Sequence, residues 1–373
     1  MVSFSHIPAD TRVPLFYAEV DNSAAGIYSQ NLRALIIGQR LAAGTVDEKV
    51  PTVVATADQA KTYFGKGSMA ARMVAAFRKN NISTPLVVIA LDDNEGGTAA
   101  EGSLAITGTA TANGTLAIYI GGQRVAVGVS SGESATEVGD AVEAAINAAT
   151  DLPVTADNTT GTVTLTARNA GTVANGIDVR LNYAGLLGGE STPAGIAVAV
   201  TPMADGATDP DIADAIAAMG DEPYEYIVTP FTDTTSLNTL GDEMNDVTGR
   251  WSYARQLYGH AFAAKADTAA ALENLGAARN DPHVSVLGYY DSPTPSYEVA
   301  AMAAGQAAAA LSNDPARPLQ TLPLVGFLVP PDPSKFIYVE KQGLLTNGIA
   351  TLYYEGGVAR IERCITTYQK NSW

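Results

Sequence analysis

The sequence predicts an α/β fold: a core domain of mainly parallel sheet with flanking helices, carrying an inserted β-rich α+β domain and preceded by an extended N-terminal arm. Three observations predict it. Apolar runs of strand length alternate with helix-period segments over about 32–92 and again from about 209 onward, the pattern of a sheet covered on both faces. Between these stretches, from about Gly96 to Asp205, the chain turns to Gly, Thr, Ala and Val in strict alternation with few aromatics. The first 30 residues show no helix period at all. The expected boundaries are an arm over 1–30, a discontinuous core over 31–95 and 206–373 that ends in a β-hairpin, and an insertion over 96–205.

In the arm, Leu15-Phe16-Tyr17-Ala18-Glu19-Val20 reads as a strand following Pro14. No hairpin partner lies beside it, so it pairs either with the chain's own sheet or with a neighbouring chain by strand addition. The core opens with an apolar run, Leu32 to Gly38. Thr56 and Gln59 have the spacing of a capping box that starts a helix through Phe64. Met69, Met73, Val74 and Phe77 place one buried face on a helix over 68–80, and Pro85 to Leu91 is a second buried strand.

Within the insertion, Thr115–Ile120, a Gly121-Gly122 turn and Val125, Val127 and Val129 predict a hairpin. Ser134 and Glu137 form a second capping box, with Val138, Val142, Ala145 and Ile146 as the buried stripe of the helix. Further strands are expected at 162–167, 177–182 and 196–200. The core then resumes with Asp209 as N-cap before Pro210. Strands at 224–229, 257–263 and 283–289 alternate with helices at 237–247, 267–278 and 296–311. A proline-rich stretch over 315–333 should run over the surface. The tail reads as a hairpin of 348–355 and 358–367 about Gly356-Gly357.

Composition narrows the function. Charged residues are 16 % of the chain, below the roughly 25 % of ordinary soluble domains, and the 35 glycines help fill the gap, which suits close protein contact. Its 22 basic residues lie scattered among 39 acids for a net charge of −17, so nucleic acid and anionic membranes are excluded as natural partners. Arg78-Lys79 reads as the cationic end of a helix. One cysteine, Cys364, allows no internal disulfide. Met1–Asp10 has no basic and apolar leader pattern, and no apolar run approaches the roughly 20 residues of a membrane span.

No catalytic constellation emerges. Gly128-Val129-Ser130-Ser131-Gly132 fits the nucleophile-elbow spacing, but its strand looks half exposed where an elbow needs a buried central one. Gly65-Lys66-Gly67-Ser68-Met69-Ala70 resembles a dinucleotide fingerprint ending in Ala and also the tail of a phosphate loop, yet a helix precedes it where both motifs need a strand, so a helix–turn–helix corner is the better reading. His6, His260 and His283 lack His or Cys at ligand spacing, and no metal or cofactor is expected. An α/β hydrolase with Ser130 as nucleophile is the rival class.

The two ends of the chain carry a resemblance that the middle does not. Ile7-Pro8, then Arg12-Val13-Pro14-Leu15-Phe16-Tyr17-Ala18-Glu19, Asp21-Asn22-Ser23-Ala24 and Arg33-Ala34-Leu35-Ile36-Ile37-Gly38-Gln39 resemble the start of the tail sheath protein of Mu-like contractile phages. Asn347-Gly348-Ile349-Ala350, Arg360-Ile361-Glu362-Arg363 and Thr366-Thr367-Tyr368-Gln369 resemble its later part, in the same order.

The resemblance implies a non-enzymatic subunit, made in the host cytoplasm and carried in the virion tail. In that family hexameric rings stack helically around a tail tube, between a baseplate and a tail terminator, and contract to drive the tube through the host envelope. A tailocin sheath has the same mechanics. The resemblance also makes the arm a subunit contact through Val13, Leu15, Phe16, Tyr17, Ala18, Glu19 and Val20, places the core against the tube and projects the insertion outward. The family's chain continues beyond the Thr-Tyr segment, so this chain is expected to be a C-terminally trimmed, monomeric or weakly associating piece.

Overall fold

The first apolar run becomes β1 (Ala34–Gln39), buried at every residue, in a computed structural model that describes residues 32–370. A two-residue strand, β2 (Thr52–Val53), follows. Thr56 then caps α1 (Ala57–Phe64): its hydroxyl accepts from the Gln59 N–H at 3.2 Å. The Gln59 side chain reaches back one residue further than a capping box requires, to the Ala55 N–H at 2.8 Å. Ser68 caps α2 (Met69–Asn80), which buries Met69, Met73, Val74 and Phe77 as the period predicts. β3 (Leu86–Leu91) is again buried throughout.

The next stretch is antiparallel. It runs through β4 (Ala99–Gly108), β5 (Gly114–Ile120), β6 (Gln123–Val129), α3 (Ala135–Ala148), β7 (Val154–Thr159), β8 (Thr162–Ala170), β9 (Val179–Leu181) and β10 (Ile196–Ala204). Gly121 and Gly122 both hold positive φ, 52° and 77°, which is what a tight two-residue hairpin turn demands and what side chains resist. The Ser134/Glu137 box closes in both directions. Of the expected helix stripe, Val138, Val142 and Ile146 are buried and Ala145 is half-buried. The strands form a four-stranded sheet, β10-β4-β8-β7, and a three-stranded one, β6-β5-β9. The core between these sheets and α3 is drawn wholly from residues between Ala100 and Met203.

The chain then continues with α4 (Ile212–Met219), β11 (Tyr226–Val228), α5 (Thr234–Met244), β12 (His260–Ala266), α6 (Ala269–Ala277), β13 (Val284–Tyr289), α7 (Ser296–Asn313), α8 (Tyr338–Thr346), β14 (Ile349–Glu355) and β15 (Val358–Arg363). Together with β1–β3 these strands make an eight-stranded mixed sheet, β15-β14-β13-β12-β11-β1-β3-β2. Its five central pairings, from β14 to β3, are parallel, and the two outermost are antiparallel. Alternate residues of each strand serve opposite faces. Ala34 and Ile36 pack with α1, α2 and α7. Leu35 and Ile37 pack with α4, α5, α6 and α8.

Several expectations need correction. The helix cap after the β-rich stretch is Asp211, which accepts from the Ala213 N–H at 2.9 Å; Asp209 instead accepts from the Thr172 hydroxyl and the Val173 N–H. The strand placed at 257–263 begins only at His260, because Leu257–Gly259 still belong to the preceding loop. The proline-rich stretch over 315–333 does not simply cross the surface. Leu322, Leu324 and Phe327 enter the core, and Thr321, Leu322 and Leu324 hydrogen-bond along β15.

Candidate assembly surfaces

A sheet edge is where strand addition happens, because it offers unpaired N–H and C=O groups. In the eight-stranded sheet one edge is already occupied by the chain itself. Thr321 N–H donates to Ile361 O at 2.7 Å, Ile361 N–H to Leu322 O at 2.9 Å and Leu324 N–H to Ala359 O at 2.9 Å. The opposite edge is β2, only two residues long, with Val53 exposed within it and Val50 exposed just before it. The predicted contact arm, Val13, Leu15, Phe16, Tyr17, Ala18, Glu19 and Val20, lies outside the described residues.

A cleft of about 700 Å³ opens where the α1–α2 corner meets the Gly121–Arg124 turn and the start of α7. Sequence explains the shape. Ala57, Ala71, Ala75 and Ala76 supply a floor of small side chains, and Gly67, with φ of 78°, lets the corner lie against Leu152 O, where a Cβ would collide. Cations line the walls. Arg72 pairs with Glu298 at 2.6 Å and donates to Asp151 O and Gly121 O, tying the corner to the β-rich strands. Burial is the largest single influence on its pKa and pulls it down, but the charges and hydrogen bonds of Glu298 and Tyr297 together outweigh it, and the net shift is upward. Lys61 pairs with Asp151 at 2.7 Å, and Arg124 with Glu190 at 2.6 Å.

Arg78 and Lys79, also on the wall, were legible only as a helix terminus. Arg78 does serve that end, donating to Thr84 O and Val54 O at 2.8 and 2.6 Å. Those acceptors are neutral, however, and its buried Nε has no partner among the described residues, so desolvation lowers its pKa. Lys79 is exposed and has no carboxylate partner among them. The signal that could have found the cleft is cation density. Residues 57–80 hold Lys61, Lys66, Arg72, Arg78 and Lys79 against the single acid Asp58, inside a chain of net charge −17.

The remaining motifs resolve into structure. Ser130 sits in an exposed turn after β6, an edge strand, where an elbow would need a central one. Gly65-Lys66-Gly67-Ser68 is the corner between α1 and α2. His6 lies outside the described residues. His260 bonds Ser285 Oγ at 2.8 Å, and burial, with the charge of His283 second, pushes it down to about 4. His283 stacks on Trp251 at 3.9 Å and bonds Asp246 at 2.9 Å. No helix among the described residues is long and apolar enough to cross a membrane.

Asn347-Gly348 and Thr367–Gln369, two of the segments that carry the resemblance, meet in one place. The Gln369 amide donates to Gly276 O, Arg279 O and Asn347 O, while Thr367 N–H donates to Val284 O. Gly348 passes so close to Thr367 that a Cβ would stand 2.8 Å from its Cα. Close backbone packing therefore explains why these residue types stand there.

Comparisons with known proteins identify the family. The family model described as phage tail sheath protein, central domain, matches residues 205–367. The chain is 39 % identical over 376 aligned positions to a Mu-like prophage FluMu tail sheath protein of Haemophilus influenzae, covering all of this chain and 76 % of that protein. Solved sheath tail proteins from Desulfitobacterium hafniense and Listeria innocua are each 12 % identical, with TM-scores of 0.47 and 0.44. The matches cover 97 % and 91 % of this chain and 76 % and 70 % of theirs. The chain is thus a structural protein of the phage-tail class. It belongs to the phage tail sheath family, and within that family it is similar to the Mu-like prophage sheath.

Proposed function

We propose that this chain is a subunit of a contractile sheath that polymerises around the tail tube of a Mu-like phage and contracts to drive the tube through the host envelope. The observation that carries the reading is the identity of 39 % to a Mu-like prophage sheath along the whole of this chain. The partners are other copies of the chain in hexameric, helically stacked rings, the tube protein, and the baseplate and terminator at the two ends. The subunit is made in the host cytoplasm and resides in the virion tail. It turns over no substrate and needs no cofactor, because the energy of contraction is stored during assembly.

In the same reading the chain divides into an arm over 1–30, a core over 31–95 and 206–373 and an inserted domain over 96–205. The self-contained core of the β-rich stretch supports that division. The inserted domain projects outward, the core faces the tube, and Val13–Val20 adds a strand to a neighbour. Negative-stain electron microscopy of the chain mixed with tail tube protein tests the reading. Decorated or sheathed tubes are expected; bare tubes at every protein ratio would refute it.

A further inference from the structure

We propose that the cationic cleft at the α1–α2 corner docks the acidic α4 side of a second copy of this chain, so that copies join head to tail; this rests on the assembly reading above. The cleft is unusual for its chain. The lining cations Lys61, Arg72, Arg78, Lys79 and Arg124, with Lys66 next in the chain to the lining Gly67, outnumber the carboxylates that line the cleft or pair with them, Asp58, Asp151, Glu298 and Glu190. Lys66 and Lys79 are exposed and unpaired among the described residues, and Arg78 touches only neutral acceptors. A cavity of about 700 Å³ with surplus positive charge takes carboxylate side chains carried by a protein surface.

The same chain carries that surface. Residues 204–222 contain Asp205, Asp209, Asp211, Asp214, Asp221 and Glu222 and no base. All but Asp209 are exposed. Lys49, Arg255 and Arg33 meet Asp214, Asp221 and Glu222, which leaves the stretch still negative. The two charged surfaces lie on opposite layers of one sheet, since α1 and α2 pack on the Ile36 face and α4 on the Leu35 face. Two complementary patches on opposite sides cannot satisfy each other within one copy. Between copies they make a heterologous contact, which repeats without closing on itself unless a rotation closes a ring. Such a contact is screened by salt.

The test uses charge reversal on side chains that hold no core contact. Sedimentation velocity should show the wild-type chain associating at low salt and dissociating at molar salt. K66E/K79E and D214K/D221K should each weaken association on the order of ten-fold while keeping the native circular dichroism spectrum. An equimolar mixture of the two variants should regain association, because each supplies the face the other lacks. The proposal is overturned if the wild type stays monomeric at low salt, if either variant associates like the wild type, or if the mixture does no better than its components. Tube decoration separates the two readings. Variants that still sheath tubes as well as the wild type would sink the docking contact alone, whereas a wild type that never decorates sinks the sheath reading itself.

Discussion

The α/β part and the β-rich part bury their sheets in opposite ways. In β1, β3 and β13 every residue is buried, because helices cover both faces of the eight-stranded sheet. In β8 burial alternates residue by residue, because only one face meets a core. The difference decides where each part keeps its charge. A doubly covered sheet has no polar face, so charge is displaced onto helix backs and corners, and two of those, around α1–α2 and α4, come out with opposite sign. The β-rich part has only three bases, Arg124, Arg168 and Arg180. Arg124 lines the cleft but pairs with Glu190 of its own part, Arg168 lies against Gly67 of the α1–α2 corner, and Arg180 reaches across to Asp291 at 2.9 Å.

The largest expected effect tests whether the two cores are separate. Phe77→Ala empties a fully buried site between α2 and α7 and should cost about 3–5 kcal/mol. Leu165→Ala does the same in the β-rich core for about 2–5 kcal/mol. Hydrogen exchange read segment by segment should show each variant losing protection chiefly within its own cluster. Uniform loss across both parts in either variant would make the chain one cooperative unit and end the proposed division.

Acid sensitivity should sharpen the comparison, since both described histidines, His260 and His283, belong to the α/β part. His260, beside Phe262 and Ser285, sits near 4 where an unfolded histidine sits near 6.5. Its folded pKa is depressed, so below pH 6.5 the unfolded state binds a proton that the folded state refuses. The stabilisation is therefore complete above about pH 6.5 and drains away as pH falls toward 4, by roughly 3 kcal/mol in all. His260→Gln should flatten that slope in thermal melts taken from pH 7 to 4. Parallel profiles for variant and wild type would show that the ring is solvated.

The same contrast explains what could be read in advance. Buried runs such as Leu86–Leu91 and the box at Ser134/Glu137 announce themselves, because burial on both faces or a cap leaves a local pattern. β4 and β7 escaped. β4 opens on Ala99-Ala100-Glu101-Gly102, and β7 buries only Val154 and Ala156, so their places are set by the strands they pair with rather than by their own side chains. α8 escaped for a related reason: Leu344 is its sole fully buried residue, and Tyr338 and Val339 at its start are exposed. The cleft was half legible. Its cations stand in sequence, but their convergence with Arg124 and Glu298 depends on tertiary packing.

The smallest expected effect lies where the two parts join. The Asp93 carboxylate, just past β3, accepts from Gln39 Nε2 at 2.7 Å, Asn169 Nδ2 at 3.0 Å and the Ala170 N–H at 2.8 Å. Asn169 in turn accepts from the Met69 N–H at 3.0 Å, so one acid links β1, α2 and β8. Removing it by Asp93→Ala leaves donors on both parts without their charged acceptor, and two of them, on Gln39 and Asn169, belong to buried side chains. A loss of about 2 kcal/mol follows, moderate because Gln39 keeps Ala170 O and Asn169 keeps Arg40 O. The informative readout is where that loss appears. If Asp93 is a coupling residue, exchange should rise at the β1 and β8 ends while both clusters keep their protection, and the Leu165→Ala and Phe77→Ala effects should become more nearly additive in its absence. A melt that shifts with no local change in exchange would mean that Asp93 supports the fold as a whole, and that the boundary between the two parts is not where they part under stress.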